Sequence, residues 1–259
     1  MRTFLLVIGA AILPASAFAQ SGLPIEEVME PVPSELEPEV PTGSRIPLKP
    51  VVLADDKTRN LMKDFGRCIY IKNPSLAEKV LLQSDPTNLD LNRIGLGGDQ
   101  LFKKFGLNSC LGTTMAIDHS DARFRFSSDM LRTMLAEEAY LDNNKQAITI
   151  AADATEMVGE RAFFGDKPNS RARSLAGFSD CVVFHGTEDA DALVRSRPAS
   201  AGEMSAVQAL IPAISACLYE GDKIDLTPAS IRGYVADGLW TRSYYQDRAP
   251  NSSNTKIEQ

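Results

Sequence analysis

Apolar residues recur at helical spacing in two separate parts of the chain, and each series includes a cysteine. The first series follows the spacing i, i+4, i+7 and i+8, and a similar stripe returns more than a hundred residues later. An apolar stripe of this kind predicts an amphipathic helix with one buried face. The two series are Leu61, Phe65, Cys68 and Ile69, and then Leu175, Phe178, Cys181 and Val182.

Two further helices are predicted in the same order in each part. A short helix opens at Pro74, and the next helix ends at the second cysteine of each part, Cys110 or Cys217. Pro212 is expected to kink or shorten that helix in the second part. The inward positions of the short helix are Leu76, Ala77, Val80 and Leu81 in the first part and Ala190, Leu193 and Val194 in the second. Those of the next helix are Leu101, Phe105 and Leu107 in the first part and Val207, Leu210, Ile211 and Ile214 in the second.

A closing helix repeats most clearly, as FSSDMLRTMLAEEAY and LTPASIRGYVADGLW. Ser127 and Thr227 are suitable N-caps, and Pro228 suits a first helical turn. Arg132 and Arg232 occupy equal positions. They are predicted to lie on a solvated face or in an ion pair within each unit, and the alternative is a ligand-binding arginine used once per half.

The acids and aromatics of the closing helix also correspond. Glu137 matches Asp237, while the adjacent Glu137 and Glu138 are expected to point in different directions. The terminal Tyr140 and Trp240 are predicted to pack over the helix end, with an exposed platform for sugar or peptide stacking as the alternative.

Segments of period two precede each closing helix. Residues 123–126 and 223–226 alternate apolar and polar side chains, which is typical of short extended segments. They are conjectured to pair with each other. Between the two parts, residues 146–164 can begin as a strand and continue as a helix, and periodicity does not decide between these structures.

The four cysteines are predicted to form structural disulfides, because their number is even and residues 1–19 have the pattern of an export signal. Four cysteines allow three pairings. The repeated order of segments favours Cys68–Cys110 and Cys181–Cys217, each within one unit. Zinc or redox alternatives are not favoured, because no CxxC spacing occurs and neither histidine stands in a ligand-like register with a cysteine.

The chain ends indicate where the protein is located. Residues 1–19 combine an early arginine, an apolar run and a small-residue cleavage site, which predicts a secretory signal peptide. Residues 20–50 hold seven prolines and six glutamates and are predicted to be a disordered spacer, and residues 247–259 a disordered tail. We expect a periplasmic or secreted protein with no membrane insertion after signal cleavage.

The net charge bears on possible partners. The whole chain carries −7, of which the signal contributes +1 and the spacer −4, leaving −4 for the remainder. Nucleic acid is not expected as a partner, since its binding rewards clustered lysine and arginine. The expected partner is an envelope protein, a peptide or a glycan.

Recognisable catalytic motifs are absent from the sequence. It contains no GxSxG or HExxH pattern, and no cofactor is predicted. His119 lies among acids in a polar stretch, where Asp118 and Asp121 can supply a partial metal-ligand set; a solvated loop is the simpler interpretation. His185 is predicted to follow the second cysteine helix, where the helix dipole favours a cation.

Together, the cysteine helix, the Cys-Leu helix and the closing LR…(L/V)A(E/D)…(Y/W) pattern resemble uncharacterised exported bacterial proteins with a duplicated, cysteine-framed helical unit. The resemblance spans roughly residues 60–140 and 174–245 and implies architecture and export, without an activity.

The predicted fold is mainly α, with two pseudo-repeated, disulfide-closed helical units and short extended segments packed as one body. The predicted boundaries are 51–145 for the first unit, 146–173 for a connector and 174–246 for the second unit. The predicted function is binding or scaffolding in the cell envelope without catalysis, using Arg132, Arg232 or His119. The alternative is a hydrolase or metal-dependent enzyme centred on His119.

Overall fold

The computed structural model describes residues 55–118, 127–164, 170–219 and 223–246, which all belong to one compact unit. Within these ranges the chain forms ten α-helices and no strand, so the mainly α prediction is confirmed. The predicted signal peptide, spacer and tail lie outside the described residues. His119 and the first period-two segment also lie outside them.

Six helices precede the connector, and four follow it. The first six are α1 (Asp55–Lys72), α2 (Pro74–Leu82), α3 (Leu91–Ile94), α4 (Gln100–Phe105), α5 (Leu107–Asp118) and α6 (Ser128–Asn143). The last four are α7 (Ser170–His185), α8 (Thr187–Arg195), α9 (Ala201–Ala216) and α10 (Pro228–Gln246). The predicted order of helices is present in both halves; the repeat itself stays a prediction.

Helices α6 and α10 lie side by side at the centre of the body. Helix α6 also packs against α1 and α2, and α10 also packs against α7 and α8. Gly238 permits the close approach of α10 to α7, since a β-carbon there would lie 2.5 Å from the carbonyl oxygen of Ser179. The apolar core is continuous across both halves, from Phe65 and Leu81 to Leu193 and Leu210.

Both disulfides join the cysteines that the sequence comparison pairs. Cys68 on α1 is bonded to Cys110 on α5, and Cys181 on α7 is bonded to Cys217 at the end of α9. No free cysteine is present. Each bond closes a loop within one half of the chain, with sequence separations of 42 and 36 residues.

The closing helices begin as their sequences predict. The Ser127 hydroxyl accepts a hydrogen bond from the Met130 amide at 3.3 Å, and the Thr227 hydroxyl accepts one from the Ser230 amide at 3.2 Å. These side chains satisfy backbone donors that a helix N-terminus otherwise leaves unpaired.

The third helix of the first half differs from the prediction. Gly106 adopts a left-handed conformation (φ +61°) and ends α4, because its amide bonds back to the carbonyl groups of Lys103 and Phe102. A new helix then begins at Leu107, so Cys110 lies in its first turn and not at a helix end. In the second half Cys217 caps α9 as predicted, and Pro212 does not shorten that helix.

The connector and the second period-two segment form no regular element. Residues 144–164 are neither strand nor helix, so the strand and the helix that periodicity left open do not form there. Residues 223–226 are likewise not in a strand. The connector is instead held by side chains, as Val158 illustrates: its amide donates to Asp180 Oδ2 at 3.1 Å.

Candidate functional site: a histidine, a carboxylate and a disulfide

The two repeated arginines are buried between the halves. Arg132 is 2% exposed and donates to the carbonyl oxygens of Leu81 (2.8 Å) and Ser84 (3.0 Å), just where α2 ends. Its second terminal nitrogen donates to Asp237 on α10 at 2.8 Å. The guanidinium therefore satisfies the end of one helix and forms an ion pair with the opposite half.

Arg232 makes the reciprocal set of contacts. It donates to both carboxylate oxygens of Glu137 on α6, at 2.9 and 2.8 Å. It also donates to the carbonyl oxygens of Leu193 (2.9 Å), Val194 (2.8 Å) and Ser196 (3.0 Å) at the end of α8. The pairs with Asp237 and Glu137 thus cross between the halves, and Arg232 also pairs with Glu203 of its own half at 3.3 Å. The prediction of an ion pair within the unit is therefore confirmed for Arg232 and wrong for Arg132.

The acids in these pairs are stabilised as carboxylates. Burial opposes ionisation of Glu137, yet hydrogen bonds from Arg232 and the charge of Lys63 outweigh it and lower its pKa. Asp237 behaves likewise: its pKa is lowered because Arg132 and Arg161 together outweigh the desolvation. Lys63 contacts both Glu137 and Glu138, so the expectation that these neighbouring acids diverge is wrong.

These contacts give Arg132 and Arg232 an architectural role. Their guanidinium groups face protein oxygens in the interior, and the geometry offers no support for a ligand-binding use of either. Tyr140 and Trp240 are also buried, as the packing interpretation predicts, and the Tyr140 hydroxyl donates to Asp191 at 2.7 Å. The hypotheses placed on His119 remain predictions, because that residue lies outside the described ranges.

Four potential ligand groups meet at the end of α7. Glu156, Cys181, His185 and Cys217 place one donor atom each within 4.8 Å of the others. His185 Nε2 lies 2.8 Å from Glu156 Oε1, which also lies 2.8 Å from Cys181 Sγ. The sulfur contact is not a hydrogen bond, because a disulfide sulfur carries no proton. We call this group the histidine–disulfide cluster.

The sequence carried a signal for half of this cluster. Cys181 and His185 are four residues apart on α7, and residues at i and i+4 share one helix face. That spacing is a ligand-like register, so the expectation that neither histidine stands in such a register with a cysteine is wrong. Glu156 had no comparable signal, because the connector lacks periodicity.

The Arg242 side chain on α10 holds the backbone around Glu156 in place. Arg242 donates to the carbonyl oxygens of Thr155, Glu156 and Asp180, and so ties the connector to α7. Asp180 is buried beneath this contact, and its burial raises its pKa to about 6. Because Arg242 and Asp180 fix the connector, the Glu156 carboxylate is supported by buried structure although its side chain is 42% exposed.

A groove of about 380 Å³ runs beside the cluster. Its walls come from the connector, from α7 and from the end of α9, and the disulfide Cys181–Cys217 lies in it. We call it the Met157 groove; the other residues that define it are Arg173, Gly177, Phe178 and Tyr219. Met157 lies against α7 where Gly177 has no side chain, with its Cε 3.2 Å from the position of a β-carbon.

Comparisons with protein-family models, with curated proteins and with solved structures returned no match. The interpretation of the site therefore rests on its own geometry. Across the described ranges, no helix is both long and apolar enough to cross a membrane.

Proposed function

We propose that this protein is exported and acts in the cell envelope as a binding protein without catalysis, using the Met157 groove to hold an apolar side chain of a peptide or protein segment. The predicted signal peptide and the two disulfides support export, since disulfides persist in oxidising compartments. The groove supports binding.

The lining of the groove carries the proposal. Met157 and Tyr219 are 50% and 69% exposed, and Phe178 forms part of the wall. Methionine is flexible and polarisable, and it is common at surfaces that accommodate varied apolar partners. Arg173 and Glu156 place opposite charges at the same groove, which suits a peptide with polar groups flanking an apolar anchor. A volume of about 380 Å³ fits one such side chain and its neighbours.

Met204 offers a matched control, because this methionine on α9 is 48% exposed and does not line the groove. Peptides are selected from a random display library on the purified, oxidised protein. Binding of the selected peptides is then measured to the Met157→Glu and Met204→Glu variants. Loss of an apolar anchor predicts at least about a tenfold weaker affinity for Met157→Glu alone. Equal affinity for both variants contradicts the assignment of the groove.

Export is tested separately. The mature N-terminus, sequenced from the periplasmic fraction or the medium, is expected at Gln20, because the predicted cleavage follows Ala19. An intact N-terminus on protein recovered only from the cytoplasm contradicts export.

A further inference from the structure

We propose that the histidine–disulfide cluster becomes a zinc site when its disulfide is reduced. Reduction of Cys181–Cys217 creates a Cys₂-His-Glu site that binds one Zn²⁺. The four donors come from three parts of the chain that the fold already holds together, namely the connector, α7 and the end of α9. This inference does not depend on peptide binding in the groove.

The donor set matches zinc chemistry. Zinc in proteins takes thiolate, imidazole and carboxylate ligands in a tetrahedral arrangement. Two of the donors, Cys181 and His185, are one helical turn apart on α7 and face the same side. Cys217 supplies the second sulfur, and Glu156 supplies the fourth ligand.

The distances require only small movements. Neighbouring ligand atoms around a tetrahedral Zn²⁺ lie roughly 3.4–3.8 Å apart. The four donor atoms already lie within 4.8 Å of one another, and the two contacts made by Glu156 Oε1 measure 2.8 Å. After reduction the sulfurs repel each other to ordinary contact distance, which moves them toward the separation that the metal needs. Rotation of exposed side chains supplies the remainder, since His185 is 44% and Glu156 42% exposed.

Solvent reaches the cluster through the Met157 groove, which borders both cysteines and Glu156. The reductant is a dithiol: thiol–disulfide exchange passes two electrons and two protons to Cys181 and Cys217, and the dithiol becomes a disulfide. Zn²⁺ then binds both sulfurs as thiolates, and the two thiol protons leave to solvent. Metal binding blocks reoxidation because both sulfurs are occupied.

The other disulfide provides an internal control. Among the described residues, the cluster at Cys181 and Cys217 is the one group of three or more such ligands that could hold a metal. Reduction of Cys68–Cys110 therefore yields two thiols without added histidine or carboxylate ligands. Only one of the two disulfides is expected to convert into a metal site.

The test uses the mature full-length protein, with Zn²⁺ and Co²⁺ as probes. Reduced protein is expected to bind one Zn²⁺ per chain, and with Co²⁺ to show the visible bands of tetrahedral thiolate coordination, while oxidised protein binds neither. Cys68→Ser/Cys110→Ser keeps this behaviour on reduction. His185→Ala and Glu156→Gln each weaken binding by at least about tenfold, because each removes one of four ligands.

A second variant keeps the test valid if the reduced chain unfolds. Cys181→Ser leaves Cys217, His185 and Glu156 in place while Cys68–Cys110 stays oxidised, so Co²⁺ binding with one thiolate is expected without any reductant. The proposal is overturned if neither reduced wild type nor Cys181→Ser binds Zn²⁺ more tightly than Cys181→Ser/His185→Ala. It is equally overturned if Cys68→Ser/Cys110→Ser abolishes binding while the helical circular dichroism is retained.

Discussion

Replacing Arg232 with methionine removes the most heavily bonded side chain between the two halves. The substitution leaves Glu137 with Lys63 as its cation and removes the donor from three carbonyl oxygens at the end of α8. Breaking a buried ion pair costs about 3–5 kcal/mol, and a buried unsatisfied acceptor costs about 1–3 kcal/mol. These effects overlap, so we expect a loss of about 4–6 kcal/mol, a large part of the usual stability of a domain.

The measurement is equilibrium urea unfolding at pH 7. Trp240 is the only tryptophan and is buried beside Arg132, whose guanidinium carbon lies 5.6 Å from the ring centre, so its fluorescence reports on the interface directly. Arg197→Met is the matched control: this arginine is exposed and bonds Asn60 at 2.8 Å, so its loss is expected to cost less than about 1 kcal/mol.

A double-mutant cycle separates the ion pair from other effects. Combining Arg232→Met with Glu137→Leu removes the carboxylate that has lost its arginine partner, so the double variant is expected to lose about 1.5–3 kcal/mol less than the sum of the single losses. If Arg232→Met does not fold and Arg197→Met does, the loss of stability exceeds the expected range and supports the reasoning. A loss below about 1 kcal/mol, or strict additivity in the cycle, refutes the reasoning.

Three further predictions concern the same body. Gly238→Ala is expected to destabilise by about 1–3 kcal/mol in urea, since the new methyl group meets backbone at 2.5 Å, whereas Gly233→Ala meets only a side chain at 3.3 Å and should be neutral or stabilising; equal effects would contradict the close approach of α10 and α7. Burial raises the pKa of Asp180 to about 6, so the folded state holds this proton more tightly than the unfolded state. This group therefore lowers stability as pH rises from about 4 to 6. Asp180→Asn should gain stability relative to wild type across that window, and a constant difference from pH 4 to 6 in thermal melts would count against the shift. Removing Cys68–Cys110 by a double alanine substitution should cost about 4 kcal/mol for a loop of 42 residues, and a melting temperature within a few degrees of wild type would argue against that estimate.

Much of the fold was predictable because helices bury one face. The apolar spacing around Phe65 and Phe178 identified the cysteine helices, and Ser127 and Thr227 marked where the closing helices begin. The disulfide pairing followed from the order of segments. Gly106 was harder, since a glycine ends a helix only when the chain adopts the left-handed conformation there, and the surrounding apolar spacing favoured continuation.

The site was less predictable, because it depends on the path of the connector, which has no regular secondary structure. The sequence comparison placed Arg132 and Arg232 at equal positions of the two closing helices, but it did not show that each arginine faces an acid of the other half. Glu156 reaches the cluster only because Arg242 binds the connector backbone. Such side-chain-to-backbone contacts have no period, and sequence spacing does not encode them.

The crossed ion pairs have a consequence for the stability of either half on its own. A chain with one half alone would lose the partner that each crossed pair supplies: Arg132 would lose Asp237, and Glu137 would keep Lys63 alone, unless a second copy supplied the missing groups by twofold symmetry. Each half thus supplies buried counter-ions to the other half. Cutting the chain within residues 146–173 should therefore yield two fragments that recover their structure when mixed, and that aggregate when kept apart.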